Sequence, residues 1–387
     1  MTTAPGSVHR LLPTAEAETL LELTREIAIE ELEPLAAAYE EEGRFPREQV
    51  ALLGRSGLLG LPYAEEHGGG GQPYEVYLQV VEELAARWFT VALSVAVHSL
   101  SCFPVAMFGT PAQQARWLPD MLGGEWLGAY ALSEAQSGSD AAALTTKAVR
   151  QGDTYVVNGT KAWITHAGLA DFYAVMVRTS DDGPRGISCL LVDASTPGLT
   201  AGAHERKMGL TGSPTASIML DDVRVDSDRR VGAEGQGFSI ALAALDAGRL
   251  GIAACSVGLA QAALRAAVDF AKHREQFGRA ILDFQGIGFM LADMATAIAA
   301  GRALYLDAAR RKDAGLPYSQ HAAMAKLFCS DAAMKVTTDA VQVLGGYGYV
   351  RDYPVERYMR EAKVLQIFEG TNQIQRLVIS RHIAKEV

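Results

Sequence analysis

The spacing of apolar residues changes twice along this chain, and that double change restricts the fold more than any single motif does. From Thr14, an N-cap residue with Glu16 and Glu18 behind it, Leu20, Leu23 and Ile27 recur at helical spacing until Pro34 bends or ends the run. Val50 to Leu59 and Tyr74 to Trp88 continue the helical period. After Gly124 the runs shorten and become β-branched. Tyr155 to Thr165 reads as a strand, an Asn158-Gly159 type I′ turn and a second strand, followed by strands at Phe172 to Arg178, Ile187 to Val192 and Ser217 to Val225. From about Phe238 the helical period returns, with alanine and leucine on the inner faces between Ile252 and Ala314, enough for four long helices in a bundle. The predicted architecture is mainly α with a small β domain: an all-α segment over 1–124, a β-barrel or sheet over 125–237, and a C-terminal four-helix bundle over 238–387.

With 387 residues, 49% of them hydrophobic, the chain can bury a substantial core, and an aromatic content of 7% favours close helix packing. A formal charge of -10 argues against a broad nucleic-acid surface, because phosphate binding needs clustered Lys and Arg. Cys102, Cys189, Cys255 and Cys329 form no CxxC pair and have no His at ligand spacing, which speaks against a metal site or a disulfide framework. No basic segment followed by an apolar one marks the N-terminus, so a cytoplasmic location is expected. The most apolar window, Val91 to Phe108, is interrupted by His98, Ser101 and Pro104 and is read as a core helix rather than a membrane span. The His67 to Gly71 cluster lacks the Lys-Ser/Thr of a phosphate loop and reads as a turn.

Several runs carry chemistry-bearing residues. Phe368-Glu369-Gly370-Thr371-Asn372-Gln373 sets a carboxylate between an aromatic and a glycine. Apolar cover raises a carboxylate's pKa and glycine admits a ligand to the backbone, which suits a general base; a surface Glu before a helix would read the same way. Tyr130-Ala131-Leu132-Ser133-Glu134-Ala135-Gln136-Ser137-Gly138-Ser139-Asp140 offers hydroxyls and backbone N–H groups to polar ring edges or a pyrophosphate, or is an ordinary loop with an Asp cap. Trp163 and Thr165 share one strand face and suit a flat ring, or a half-buried sheet position. Arg274-Glu275-Gln276-Phe277-Gly278 and Gln342-Val343-Leu344-Gly345-Gly346 follow long helices and suit a diphosphate, or a salt bridge and a helix C-cap.

The order of these runs resembles the flavin-dependent acyl-CoA dehydrogenases over essentially the whole length. The resemblance implies FAD held noncovalently. Tyr130, Leu132, Ser133, Gly138 and Ser139 then lie by the flavin or its phosphates, with Trp163, Ile164 and Thr165 on its other side. Arg274, Gln276, Phe277, Gln285, Gln342, Gly345 and Gly346 contact the adenosine diphosphate, partly across a subunit boundary, in a homo-oligomer that is customarily a dimer of dimers. Thr371 and Gln373 touch the cofactor, while Ser139, Asp246, Arg249 and Gly370 flank the acyl-CoA. By the same resemblance Glu369 is the base; one subset of the family carries its base just before the arginine that matches Arg249, and here that position is Gly248. A proline common after the motif's Glu is replaced by Ala135, which implies a looser loop.

The implied reaction is α,β-dehydrogenation of an acyl-CoA to a trans-2-enoyl-CoA, with electrons passed to an electron-transferring flavoprotein. Alternatives on the same scaffold are a flavin oxidase or monooxygenase, or a non-catalytic acyl-CoA- or flavin-binding assembly protein.

Overall fold

The structure, a computed structural model, describes residues 8–386. Six helices open the chain: α1 (Ala15–Ile27), α2 (Glu33–Glu42), α3 (Arg47–Arg55), α4 (Tyr74–Ala85), α5 (Phe89–Phe108) and α6 (Pro111–Leu122). The Thr14 hydroxyl accepts from the Ala17 N–H at 3.1 Å and starts α1. Pro34 does not end the run: a π-helical stretch, Ala28–Leu32, carries the chain into α2, where proline occupies the first turn and its missing N–H costs little.

The sheet comprises β1 (Gly128–Ala131), β2 (Lys147–Gln151), β3 (Thr154–Thr165), β4 (Phe172–Arg178), β5 (Ile187–Asp193), β6 (Leu199–Ala201), β7 (Thr215–Asp226) and β8 (Arg230–Val231), ordered β6-β7-β3-β2-β4-β5-β8 with β1 beside β4. The predicted Asn158-Gly159 turn is absent. Residues 154–165 form one continuous strand, and the hairpin turns instead at Gly152, where φ is +64°, so that β2 pairs antiparallel with β3. Gly159 marks a register shift against β7; a Cβ there would stand 2.6 Å from Thr146 Oγ1, so close approach of a neighbouring chain segment explains the glycine.

A type I′ turn does occur, after α7 (Gly237–His273), where β9 (Glu275–Gln276) and β10 (Arg279–Ala280) flank Phe277 and Gly278 at φ +55° and +78°. The C-terminal helical domain then continues through α8 (Gln285–Asp313), α9 (Ser319–Leu344), α10 (Val355–Leu365) and α11 (Asn372–Glu386). Its bundle uses three long helices and two shorter ones. The two helical domains share one apolar core, in which α4 and α5 pack on α7, while the sheet encloses a second.

By length and composition three helices among the described residues, α5, α7 and α8, are long and apolar enough to cross a membrane. The 20 residues of α5 and the apolar face of α7 are buried in the shared core, as expected for a core helix over Val91 to Phe108. In contrast, only 22% of the apolar window of α8 is covered.

Candidate active site

Glu369 lies on the turn between α10 and α11, with φ +52° at Glu369 and +84° at Gly370. A non-glycine residue in the left-handed region costs roughly 1–2 kcal/mol, so the surroundings must hold it. Gln375 donates from Nε2 to the Glu369 and Gly370 carbonyls at 3.1 and 2.8 Å, and Lys326 Nζ donates to the Gly370 carbonyl at 2.8 Å. Lys326 also donates to Asn372 Oδ1, and Asn372 Nδ2 donates to Asp331 and Ser330, so α9 clamps the turn from below.

The turn aims the carboxylate inward. Glu369 is only half-buried as a residue, but its Oε2 is sealed from solvent and has no hydrogen-bond partner. Burial pushes its pKa up to about 7, against the opposing pull of Arg249 and Lys326. Such a group is half ionised near neutrality and basic enough to take a proton. Arg249 is itself buried and paired with Asp246, whose pKa is raised by burial and lowered by that arginine. A Cβ at Gly248 would meet Glu369 Oε2 at 3.3 Å and Leu100 Cδ1 at 3.2 Å. The two chain positions from which a base can be presented thus converge on one spot, and glycine at 248 leaves it to Glu369. Beside it, between α5 and α7, lies a narrow cavity of about 30 Å³, lined by Tyr63, Tyr77, Ser99, Leu100, Gly248 and Gly251 among others. Tyr130, whose buried hydroxyl lacks a partner, feels the Glu369 charge.

A second cluster joins the end of β1 to β3. Ala162 N–H donates to the Ser133 carbonyl at 2.9 Å, and Lys161 Nζ donates to the Leu132 carbonyl at 3.0 Å and to Glu134 Oε1 at 2.9 Å. Glu134 also accepts from the Thr145 and Thr146 N–H groups; burial opposes its charge, yet Lys161 and these donors hold its pKa at about 2. With reciprocal 3.0 Å bonds between Glu134 and Ser137, the loop is tied despite Ala135. The Asp140 side chain caps nothing on the short turn Ala141–Ala143, and Gly138 and Ser139 are exposed. On β3 Ile164 enters the sheet core, while Trp163 sits at φ +63° and is 63% exposed next to partly buried Thr165.

A third cluster sets Arg274, just before the Phe277-Gly278 turn, against the Gly345–Tyr349 segment: its guanidinium lies 5.4 Å from the Tyr347 ring centre. Phe277 is 94% exposed, Gln276, Gln285 and Gln342 are exposed, and Thr371 caps α11 through the Ile374 N–H at 3.2 Å, with Gln373 exposed beside it. Among the described residues no hydrogen bond, ion pair or ring contact joins the Arg274 turn to Glu369 or Trp163.

The family descriptions of the N-terminal, middle and C-terminal domains of acyl-CoA dehydrogenases match residues 14–125, 129–223 and 235–384. The chain belongs to the acyl-CoA dehydrogenase family. It is similar to an acyl-CoA dehydrogenase of Bacillus subtilis, 45% identical over 372 residues that cover 96% of this chain and 98% of the relative. Among solved structures it resembles butyryl-CoA dehydrogenase from Megasphaera elsdenii, with a TM-score of 0.95, 40% identity and coverage of 97% and 100% of the two chains. A chain from a structural study of the electron transferring flavoprotein of Acidaminococcus fermentans has a TM-score of 0.95 and 42% identity, with 97% and 99% covered.

As a member of this family the protein is an oxidoreductase that dehydrogenates acyl-CoA, and FAD is its cofactor. The residues present fit that group. An exposed indole on a bulged strand, the partnerless Tyr130 hydroxyl and the tied Leu132-Ser133 loop suit the flavin ring, and exposed Arg274 with paired glycines suits a diphosphate. Sequence reasoning missed Lys326, Asn372 and Gln375, which fix the Glu369 turn. Its available signal was a lone lysine in the alanine-rich run Ala322 to Met334, at a position that helical spacing places inside.

Proposed function

We propose that the protein removes the α-proton of an acyl-CoA thioester with Glu369 and releases a trans-2-enoyl-CoA. The observation that carries this is the sealed, unpaired Glu369 Oε2, with a pKa raised to about 7, set against Gly248 in the wall of an apolar cavity. A thioester Cα–H is far too weak an acid for a carboxylate unless the enolate is stabilised as it forms. The Glu369 N–H, taken up by no backbone carbonyl of the described residues, can donate to the thioester oxygen, and one such donor contributes roughly 3 kcal/mol. An acyl chain filling the cavity excludes water and strengthens that bond. Asp246, paired with Arg249, also lines a second groove together with Arg311, Tyr318, His321 and His382, which suits the rest of the CoA. When bound, FAD accepts the hydride that leaves Cβ.

Electron delivery to an electron-transferring flavoprotein is supported by the similarity to a chain from a structural study of such a flavoprotein. Assembly into a homo-oligomer is supported by the uncovered apolar face of α8, with Phe289 exposed, and by the separation of the Arg274 cluster from Glu369, which suits a cofactor shared between subunits.

Glu369→Gln tests the central claim. The variant should retain FAD and bind butyryl-CoA but fail to bleach the flavin anaerobically; normal bleaching removes Glu369 from the mechanism. Reoxidation of the reduced wild-type enzyme in air separates a dehydrogenase, which reoxidises slowly, from an oxidase.

A further inference from the structure

Two buried carboxyl groups that take no part in the chemistry above meet where the three domains join. Glu40 on α2 is buried and takes four donors, two on each oxygen. Trp88 Nε1 at 3.1 Å and the Thr90 hydroxyl come from the head of α5; the Thr211 hydroxyl and the Gly212 N–H, each at 3.0 Å, come from the loop between β6 and β7. A carboxylate can satisfy four donors in full, and a carboxylic acid cannot. The same loop presses on α10. A Cβ at Gly209 would stand 2.7 Å from the Arg360 carbonyl carbon and 2.8 Å from the Glu361 nitrogen, and Arg360 Nη1 donates to the Met208 carbonyl at 2.9 Å. Glu361, also buried, thus feels the Glu40 charge across this joint.

Among the described residues no cation lies within hydrogen-bond reach of Glu361. Arg357 Nε stands 3.7 Å away, Arg360 is spent on Glu356 at 2.7 and 2.8 Å, and Lys207 of the loop donates to the Ser213 carbonyl at 2.7 Å. From α7, Arg265 is paired with Glu33 at 2.9 Å; from α9, Asp331 meets the far end of α10 through Gln366. Burial, with the Glu40 charge adding to it, pushes the Glu361 pKa up to about 8 against the opposing pull of Arg357 and Arg360. What α10 carries makes this matter. The Phe368 N–H donates to the Val364 carbonyl at 3.1 Å and the Asn372 N–H to the Gln366 carbonyl at 3.0 Å, so the Glu369 turn hangs from the end of this helix. We infer that Glu361 is a proton-dependent positioning residue for Glu369: protonated, it seats α10 against Glu40 and the Gly209 loop, and ionised, it drives α10 and the turn off that seat, so that proton abstraction fails on the alkaline side. The inference rests on Glu369 as the base and adds what holds it in place.

The test follows anaerobic reduction of the FAD-loaded enzyme by butyryl-CoA from pH 6 to 9.5, beside Tm from pH 4.5 to 9. Glu369 brings the rate up through about pH 7 and Glu361 takes it down through about pH 8, so wild type should peak between the two. Glu361→Gln removes the fall. Its kcat/KM relative to wild type should climb from near parity at pH 6.5 to about tenfold at pH 9, the factor by which a group of pKa about 8 has then lost its protonated form. Glu361→Asp, which keeps a titrating carboxyl, should keep the fall. A folded-state pKa raised from 4.5 to about 8 means that the favourable contribution of Glu361 is complete below 4.5 and is lost as pH rises through 8, so Glu361→Gln should match wild type in Tm at pH 4.5 and exceed it by several degrees at pH 8.5. A Tm difference that is the same at every pH, or an alkaline fall that persists in Glu361→Gln, overturns the inference. If that variant does not fold, amide exchange in residues 355–369 of wild type decides: corrected for its intrinsic pH dependence it should rise above pH 8, and a flat profile overturns the inference. If Glu369→Gln reduces the flavin normally while Tm and exchange follow Glu361, the base assignment fails and the proton-dependent seating of α10 stands.

Discussion

Replacing Lys326 with methionine isolates the electrostatic control of the base. Lys326 Nζ sits 2.8 Å from the Gly370 carbonyl, and its charge opposes the rise that burial imposes on Glu369. For opposite unit charges separated by a few ångströms beyond contact, at an effective dielectric of about 20, the attraction is on the order of 2 kcal/mol, which corresponds to roughly 1.5 pKa units. The sign is fixed: loss of the cation disfavours the carboxylate, so the inflection in kcat/KM moves upward from near 7. At pH 7 the ionised fraction then falls roughly fifteenfold, whereas at pH 9 the two enzymes differ by less than about twofold. The assay is anaerobic flavin reduction by butyryl-CoA from pH 6 to 9.5, with Lys326→Arg as the charge-keeping control. A loss of equal size at every pH would show that Lys326 only props the turn, and a wild-type inflection near 4.5 would refute the burial argument itself.

Glu369→Gln should also raise thermal stability at pH 8 and leave it nearly unchanged at pH 4. A folded-state pKa lifted from 4.5 to about 7 means that the carboxyl's favourable contribution is fully present below 4.5 and is lost as pH rises through 7, a difference on the order of 3 kcal/mol read from Tm against pH. Lys161→Met leaves Glu134 buried without its cation and should lower the urea midpoint by the equivalent of about 3 kcal/mol; an unchanged midpoint would mean that the threonine donors suffice. Arg274→Ala should lower FAD occupancy of the purified protein while sparing butyryl-CoA affinity, because a diphosphate loses a charge-assisted partner, and equal occupancy would remove Arg274 from the cofactor site.

Much of this was legible in the residues. The helix, sheet, helix order follows from apolar spacing, and Phe172–Arg178 forms the strand that its run of β-branched and aromatic residues indicates. The Phe368-Glu369-Gly370 run reads equally as a surface turn before a helix, and only the order of the runs, through the family they resemble, pointed to Glu369 as the base. The Asn158-Gly159 pair misled because its glycine answers a spatial demand, the approach of Thr146, which a local turn rule does not see. The real type I′ turn was hidden for the converse reason: Phe277 is a poor turn former, and its left-handed backbone holds a ring out into solvent. Lys326 went unread because its role depends on an element far away in the chain, the turn after α10.

The common core of the two helical domains has a consequence for biosynthesis. Helix α5 leaves the ribosome long before α7, its main apolar cover, because residues 109–236 lie between them. At about 5–20 residues per second that interval lasts roughly 6 to 26 s, during which a long greasy helix has no permanent neighbour on one side. The nascent chain must therefore be shielded by holdase chaperones or by transient collapse onto its own first helices, and truncation within the sheet should yield aggregates rather than a soluble amino-terminal fragment.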